Sequence, residues 1–300
     1  MVKTRKPITP PTEHELRVIE AGGRIAGTPV GKDVAFQHAV LCQVGLPRKR
    51  VSGDRFERVS GEVSLLVKAG ELYANGRWQM QPVPYGVKPR LALVHLCSEA
   101  VRTRSPVVEV GDSVRGFLKR LGIDDNGRNY GMFRRQMAAL AACELRLGFR
   151  GQTEKLSPVD GFAAWLSDDD AQPALWPGMI RLSDRFFDSL AEHAVPLDPR
   201  ALAALRDSAL RLDLYTWLAH RLWRVSTPVK VPWRSLHQQF GIEYAELRVF
   251  RRKAVEALHD VLRVYPDAKV EQVTGGLLLK ASPPPVPKTH FGYRRPPPLT

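Results

Sequence analysis

The chain has 300 residues, 44% of them hydrophobic, and a formal net charge of +14. This length suggests about two domains, and the excess of positive charge indicates a polyanionic partner, with nucleic acid the first candidate and an anionic membrane surface the second. No run of 18 apolar residues occurs, and no apolar core follows the basic N-terminus. We therefore expect neither a membrane-spanning helix nor a secretory signal.

Residues 1–60 are rich in Gly, Pro, Arg and Lys. This composition predicts a largely flexible, basic N-terminal segment with a short helix at 13–20. The basic cluster from Pro47 to Arg50 fits two interpretations. In one it lies along nucleic-acid phosphates, and in the other it is a solvated tail.

A first folded unit is predicted over residues 61–155. Asn75 and Gly76 separate two apolar runs, which is a strong hairpin signal. A helix opened by Pro89 and a short strand follow, and apolar spacing then predicts two more helices and the start of a second hairpin. On the last of these helices Arg128 and Arg135 point away from the apolar stripe, and Arg134 flanks them.

Two further segments are predicted to lack regular structure. Residues 156–177 are loop-rich and contain three adjacent aspartates, Asp168 to Asp170. Neighbouring carboxylates in a loop point apart and repel, so we interpret this segment as an acidic linker and not as a metal site. Residues 283–300 are proline-rich and predicted to be disordered, with a partner-binding ligand as the alternative.

A second folded unit is predicted over residues 178–282. It begins with a strand, a helix capped by Ser183 and two apolar helices. A strand from Val229, a short helix opened by Pro232, a turn at Gly241, a long helix and a glycine hairpin complete a helix-turn-helix with a β-wing. Because the first unit has a similar order of elements, the predicted fold is α+β, mainly α with small β-hairpins, in two tandem winged-helix domains.

The long helix of the second unit has two contrasting faces. At about 100° per residue, one narrow apolar stripe must be buried, and it contains Leu247, Phe250, Ala254, Leu258 and Val261. The opposite face is cationic, which suits the phosphates and the major groove of DNA. A solvated face on a basic protein is the alternative.

These faces give a set of candidate DNA contacts. The residues predicted to reach base edges are Arg248, Arg252 and Val249. The residues predicted to contact the DNA backbone are Arg128, Arg134, Arg135, Arg234, His237, Arg251 and Lys253.

The sequence contains no complete catalytic motif among those considered below. The stretch from Gly27 to Asp33 has the wrong glycine spacing for a phosphate loop and lacks a Ser or Thr after its lysine. The stretch from Gly111 to Arg115 lacks the last glycine of a nucleophile elbow. No two histidines are one residue apart, and the three cysteines are widely spaced. We expect no enzyme activity, no metal site and no cofactor.

Four stretches carry a family resemblance: PYGVKPRLALVHLCSEAVRTRSPVVEV, DSVRGFLKRLGI, VPLDPRALAALRDSALRLDLYTWLAHRLW and VPWRSLHQQFG. They resemble the plasmid-encoded RepA family of replication initiators from Gram-negative bacteria, over roughly residues 61–282. The helix-turn-helix pattern by itself is typical of many repressors.

The resemblance implies a cytoplasmic bacterial protein that binds direct repeats at a plasmid origin and helps to open the adjacent duplex. It also implies contacts with the host initiator and the replicative helicase, repression of its own gene, and a monomer-dimer equilibrium. A winged-helix transcriptional repressor without a replication role is the alternative. A membrane-surface or scaffold protein and a DNA-nicking enzyme rank below both.

Overall fold

The computed structural model describes residues 10–31, 33–74, 76–149, 152–156, 158–159 and 178–287. Within them the chain forms an α+β fold with ten α-helices and several small antiparallel sheets. The helices are α1 (Glu13–Gly27), α2 (Ala39–Gln43), α3 (Val87–Thr103), α4 (Val114–Arg120), α5 (Gly127–Ala142), α6 (Asp184–His193), α7 (Pro199–Leu205), α8 (Ala209–Arg221), α9 (Trp233–Phe240) and α10 (Leu247–Val264).

The strands are short, and most are joined as hairpins. They are β1 (Ala35–His38), β2 (Arg55–Ser60), β3 (Val63–Lys68), β4 (Glu71–Ala74), β5 (Arg77–Met80), β6 (Val107–Glu109), β7 (Glu144–Phe149), β8 (Gln152–Leu156), β9 (Met179–Arg181), β10 (Ala194–Leu197), β11 (Val229–Pro232), β12 (Val270–Val273) and β13 (Gly276–Leu279). The hairpin predicted at Gly76 is confirmed, because β4 and β5 pair on either side of it.

Side-chain caps explain where several helices begin. The Thr12 hydroxyl accepts a hydrogen bond from the Glu15 backbone N–H, and the Glu15 carboxylate accepts one from Thr12 N–H, which forms a capping box at α1. The Ser183 hydroxyl accepts from Phe186 N–H at 3.2 Å and begins α6, as the sequence predicts.

The two predicted units differ in how their strands pair. In the second unit β11, β13 and β12 form one sheet, in that order, so the strand before α9 pairs with the hairpin after α10. Strand β6 of the first unit pairs with β9 of the second, whereas β7 and β8 join β3 and the preceding β2 in a four-stranded sheet. The front of the chain therefore repeats the order of elements of the back without repeating its sheet.

Two clusters of buried side chains form the core. The first lies around α3, α4, α5 and the four-stranded sheet, and includes Leu65 and Phe133. The second lies around α8, α9 and α10, and includes Tyr215, Leu236 and Phe250.

The described part of residues 1–60 is folded, which corrects the expectation of a largely flexible segment. Val18 of α1 belongs to the second cluster, and Phe36 of β1 belongs to the first. Strand β1 pairs with β10, and α1 packs against α7 and α10. The composition of the segment was misleading because its apolar side chains, although sparse, fall on faces that other elements cover.

The described start of the proline-rich tail is also packed. Val286 is buried in the first cluster, at 1% exposure, and the Tyr265 hydroxyl donates a hydrogen bond of 2.6 Å to the Pro283 carbonyl. Residues 288–300 and nearly all of the predicted linker, 156–177, lie outside the described residues, including Asp168 to Asp170. The boundaries drawn between the predicted domains stay predictions.

Three negative observations concern the described residues. Cys42, Cys97 and Cys143 are buried free thiols. No three His, Cys, Asp or Glu side chains group together as a metal site in these ranges, and none of the helices there is long and apolar enough to cross a membrane.

Candidate nucleic-acid interface

Helices α9 and α10 are held on their sheet by a few specific contacts. Trp233 N–H donates a hydrogen bond of 3.0 Å to the Gly275 carbonyl, which ties the start of α9 to the β12–β13 hairpin. Gly241 ends α9, and a Cβ added there would lie 2.4 Å from the Phe250 ring. The turn between the helices therefore requires glycine, because the first buried ring of α10 occupies the space beside it.

The apolar stripe of α10 is confirmed at four of its five positions. Phe250, Ala254, Leu258 and Val261 are buried. Leu247 is 40% exposed, so its predicted burial is wrong. It is the first residue of the helix, and its side chain lies beyond the part of the stripe that the core covers.

The opposite face of α10 is cationic at its N-terminal half but also carries two carboxylates. Arg248 is 89% exposed, and its guanidinium lies 3.6 Å from Glu246. Arg252 is 68% exposed and lies 4.0 Å from Glu256, whose carboxylate is 2.8 Å from Lys253 Nζ. Exposed pairs of this kind are worth up to about 1 kcal/mol, so these cations can exchange a carboxylate for a phosphate at little cost.

Two other candidate residues of α10, Arg251 and Val249, are restricted by neighbouring side chains or by partial burial. The Arg251 guanidinium lies 5.7 Å from the centroid of the Trp233 ring, within the range of a cation–π contact. Val249 is half-buried.

Helix α9 contributes one exposed and one engaged candidate. Arg234 is exposed. His237 is half-buried, its Nε2 lies 3.0 Å from the Tyr244 carbonyl oxygen, and its ring packs edge-on against Phe250 at 5.3 Å. Nε2 of His237 is therefore within hydrogen-bonding distance of the turn between α9 and α10, which leaves Nδ1 as the nitrogen that can contact DNA.

The three arginines of the first unit lie on α5, which packs against α3 and α4 in the other core cluster. Arg128 and Arg135 are exposed, and Arg134 is half-buried. Lys88 adds a cation that the sequence analysis did not single out. Burial, and then the nearby charge of Arg128, lower the Lys88 pKa, and its Nζ lies 3.2 Å from Asn129 Oδ1.

A buried ionic network connects the α9–α10 turn to the rest of the molecule. Arg58 of β2 is fully buried and donates hydrogen bonds of 2.9 and 3.0 Å to the two carboxylate oxygens of Glu243. Arg90 of α3 makes a bidentate pair with Asp213 of α8 at 2.7 and 2.8 Å. Arg58 bridges the two pairs, because its second guanidinium nitrogen lies 4.0 Å from Asp213.

The network shifts the pKa values of Glu243 and Arg58. Burial alone would raise the pKa of Glu243, but the charge of Arg58, together with the backbone hydrogen bond and the charge of Arg48, outweighs it and holds that pKa below its usual value. Burial lowers the pKa of Arg58, although Glu243 and Asp213 oppose the shift. The sequence analysis missed this network. The only local signal was the alternation of β2, which places Arg58 on the same face as the buried Phe56.

The network also reaches the part of the chain that carries a family match. Residues 83–231 match the family model described as plasmid encoded RepA protein. The match covers 149 of the 300 residues. The predicted resemblance to the plasmid-encoded RepA family is confirmed over these residues, and the match supports a role as a replication initiator. The RepA match includes Arg90 and Asp213 and ends before α9 and α10.

Two solved structures resemble this chain weakly. Domains 2 and 3 of RctB superpose with a TM-score of 0.49 at 13% identity, covering 81% of this chain and 98% of the RctB chain. A second structure of the same RctB domains gives 0.49 and 13%, with coverages of 80% and 94%. Similarity at this level says nothing about function. Among curated proteins, no sequence matches the chain.

Proposed function

We propose that the protein is a plasmid replication initiator that binds direct repeats at its origin through two winged-helix units. The observation that carries the proposal is the exposed cationic face of α10, which stands on a strand, helix, helix and hairpin unit directly after the RepA region. An α-helix fits the major groove of B-DNA, and arginine reads guanine there through two hydrogen bonds. Arg248 and Arg252 take that role.

The remaining cations position the duplex without reading it. Arg234, Arg251 and Lys253 would contact phosphates beside α10, and Arg128, Arg134 and Arg135 would do so from α5. Each neutralised phosphate releases counterions, so binding should weaken steeply with salt. Bound repeats would favour opening of the adjacent duplex and recruitment of the host initiator and helicase in the cytoplasm, and a monomer-dimer equilibrium would separate initiation from repression of the protein's own gene.

The first test is fluorescence anisotropy of the protein on duplexes tiled across the DNA that flanks its gene, at two salt concentrations. A scrambled duplex of the same composition is the control. Tight binding confined to a set of repeats, with a steep salt dependence, supports the proposal. Equal binding to the scrambled duplex contradicts it and makes a sequence-blind or membrane-surface role the better explanation.

A transcriptional repressor would use the same α9–α10 surface, so a second experiment is needed to separate it from an initiator. A plasmid that carries the repeats is introduced into cells with and without the gene supplied in trans. An initiator is required for maintenance of that plasmid, whereas a repressor is not.

We also propose that no chemical step is involved. Supercoiled origin plasmid incubated with the protein and Mg²⁺ or Mn²⁺ should remain supercoiled. Nicked circles would identify a DNA-cleaving enzyme instead.

A further inference from the structure

The basic segment from Pro47 to Arg50 lies against the turn between α9 and α10. The Arg48 backbone N–H donates a hydrogen bond of 2.7 Å to Glu243, and the Arg48 guanidinium donates one of 3.0 Å to the Tyr244 hydroxyl. The same guanidinium lies 4.0 Å from the centroid of the Tyr244 ring. Tyr244 stands three residues before the first residue of α10, so Arg48 is fixed beside the start of that helix.

Both ends of the segment are anchored. Pro47 is buried, and its carbonyl accepts hydrogen bonds from Arg90 at 3.1 Å and from the Gly86 N–H at 3.0 Å. On the other side, Val51 packs against the first core cluster. Because both ends are fixed, the two residues between Arg48 and Val51 have a defined position.

Those two residues, Lys49 and Arg50, differ from Arg48 in their surroundings. The Arg48 side chain is 10% exposed, whereas Lys49 and Arg50 are exposed. Neither is joined by a hydrogen bond or ion pair to another residue in the described ranges. Consecutive Cα atoms are about 3.8 Å apart, so the Cα atoms of Lys49 and Arg50 lie within about 8 Å of the Arg48 Cα. The sequence alone left open whether this cluster is a solvated tail, and its anchored ends exclude a tail.

We propose that Lys49 and Arg50 form a second phosphate-binding element, fixed by Arg48 beside the helix-turn-helix and contacting the backbone of the duplex that α10 reads. The ligand is the phosphodiester backbone, which carries no sequence information. The element lies outside both α9–α10 and the RepA region. The inference rests on the proposed function for the presence of a duplex at α10, and it adds residues that neither the helix pattern nor the family match indicates.

The test compares three double variants on one duplex across a salt series. Lys49→Ala/Arg50→Ala removes the element. Arg181→Ala/Arg185→Ala removes two positive charges from exposed positions on β9 and α6, together with the exposed Arg181–Asp184 ion pair, and so controls for net charge. Lys49→Arg/Arg50→Lys keeps both charges and exchanges the side chains. Thermal unfolding of all three verifies that they fold, and because the substituted side chains are exposed we expect wild-type midpoints.

Two lost phosphate contacts should reduce the slope of log K against log salt by about 1.8, so the loss of affinity at 0.1 M salt should exceed the loss at 0.2 M salt by about 3.5-fold. The loss should be the same on repeat and scrambled duplexes. The control variant should keep the wild-type slope, and the exchanged variant should bind like wild type.

Two outcomes would overturn the inference. An unchanged slope in Lys49→Ala/Arg50→Ala means that these side chains do not touch phosphate. An equal loss in the Arg181→Ala/Arg185→Ala variant means that overall charge, and not a local contact, is responsible. If wild type binds duplex DNA without preferring the repeats, the proposed function fails, yet the slopes on that duplex still decide the role of Lys49 and Arg50.

Discussion

Arg252 and Lys253 are neighbours on α10, and both lie near the Glu256 carboxylate, at different distances. The Arg252 guanidinium is 4.0 Å from Glu256, whereas Lys253 Nζ is 2.8 Å from the same carboxylate. We expect Arg252→Ala to lose about 1 to 3 kcal/mol of discrimination at one base pair, because bidentate contacts to guanine are worth that much. Lys253→Ala should weaken binding to all duplexes alike and reduce the salt slope by about one. Anisotropy on repeat and scrambled duplexes measures both.

Arg252→Lys is the matched control, because it keeps the charge and removes the second hydrogen bond. It should lose specificity while retaining the salt slope of wild type. Equal loss of repeat and scrambled binding in Arg252→Ala would assign Arg252 to the backbone and not to a base edge.

Glu243 is the carboxylate on which the α9–α10 turn depends. Replacing it with Gln leaves Arg58, which is fully buried, without its nearest charged partner, and removing one member of a buried pair costs about 3 to 5 kcal/mol. Urea unfolding of Glu243→Gln near pH 7 should show a loss of this size. Glu57→Gln, an exposed carboxylate on the same strand as Arg58, should change stability by less than about 0.5 kcal/mol.

The same pair predicts a pH dependence. Because the folded-state pKa of Glu243 is held below its usual value of 4.5, its contribution is complete above that pH and is lost as the pH falls through the folded-state pKa. The stability difference between wild type and Glu243→Gln should therefore shrink below about pH 4.5. A constant difference from pH 7 to pH 3 would contradict the assigned ion pair.

The sequence predicted the exposed arginines of α10 but not the buried Arg58–Glu243 ion pair. The helical repeat of 3.6 residues predicts that Arg248 and Arg252 lie opposite the apolar stripe, on an exposed face. Arg58 and Glu243 are 185 residues apart in the chain, and no local pattern relates them. Their pairing depends on how β2 packs on α9, which is a property of the folded chain.

The turn between α9 and α10 requires a glycine at position 241. A Cβ at Gly241 would lie 2.4 Å from the Phe250 ring, so Gly241→Ala should displace that ring and cost about 1 to 3 kcal/mol. Gly131 of α5 has no atom within 4 Å of an added Cβ, and Gly131→Ala should stabilise by up to about 1 kcal/mol. Thermal unfolding compares the two, and equal stability of both variants would contradict the tight turn.

Helices and strands were not equally predictable. The helices α5, α7 and α10 follow from apolar spacing that lies within each segment. The strand β6 was predicted as well, but its partner was not. It pairs with β9, beyond the predicted linker, while the hairpin β7–β8 extends the sheet of β2 and β3. Strand partners are long-range contacts, and a short strand such as Val107–Glu109 has too few side chains to specify one.

The N-terminal segment contributes buried side chains to both core clusters. Its packing therefore affects the stability of the folded chain. Helix α1 packs on α7 and α10, and β1 pairs with β10. His14 of α1 lies 2.9 Å from Asp207 and 3.0 Å from Asp260 of α10. Composition pointed to a flexible segment, whereas Thr12 and Glu15 already formed the capping-box pattern of a stable helix start.

Two adjacent glycines of α1 test this arrangement. A Cβ at Gly22 would lie 2.5 Å from the Arg263 carbonyl oxygen of α10, a backbone atom that cannot move aside alone, while a Cβ at Gly23 meets no atom within 4 Å. Both substitutions improve helix propensity by up to about 1 kcal/mol. We expect Gly23→Ala to stabilise by that amount and Gly22→Ala to destabilise by about 1 to 3 kcal/mol, because α1 must separate from α10.

Urea unfolding of the full-length protein measures both changes against wild type. If the two variants are stabilised equally, α1 does not pack on α10 in solution, and the flexible segment indicated by composition is the better description. If only Gly22→Ala is destabilised, α1 is part of the core. Truncations that remove this helix would then weaken DNA binding by unfolding the support of α10, and not by removing a DNA contact.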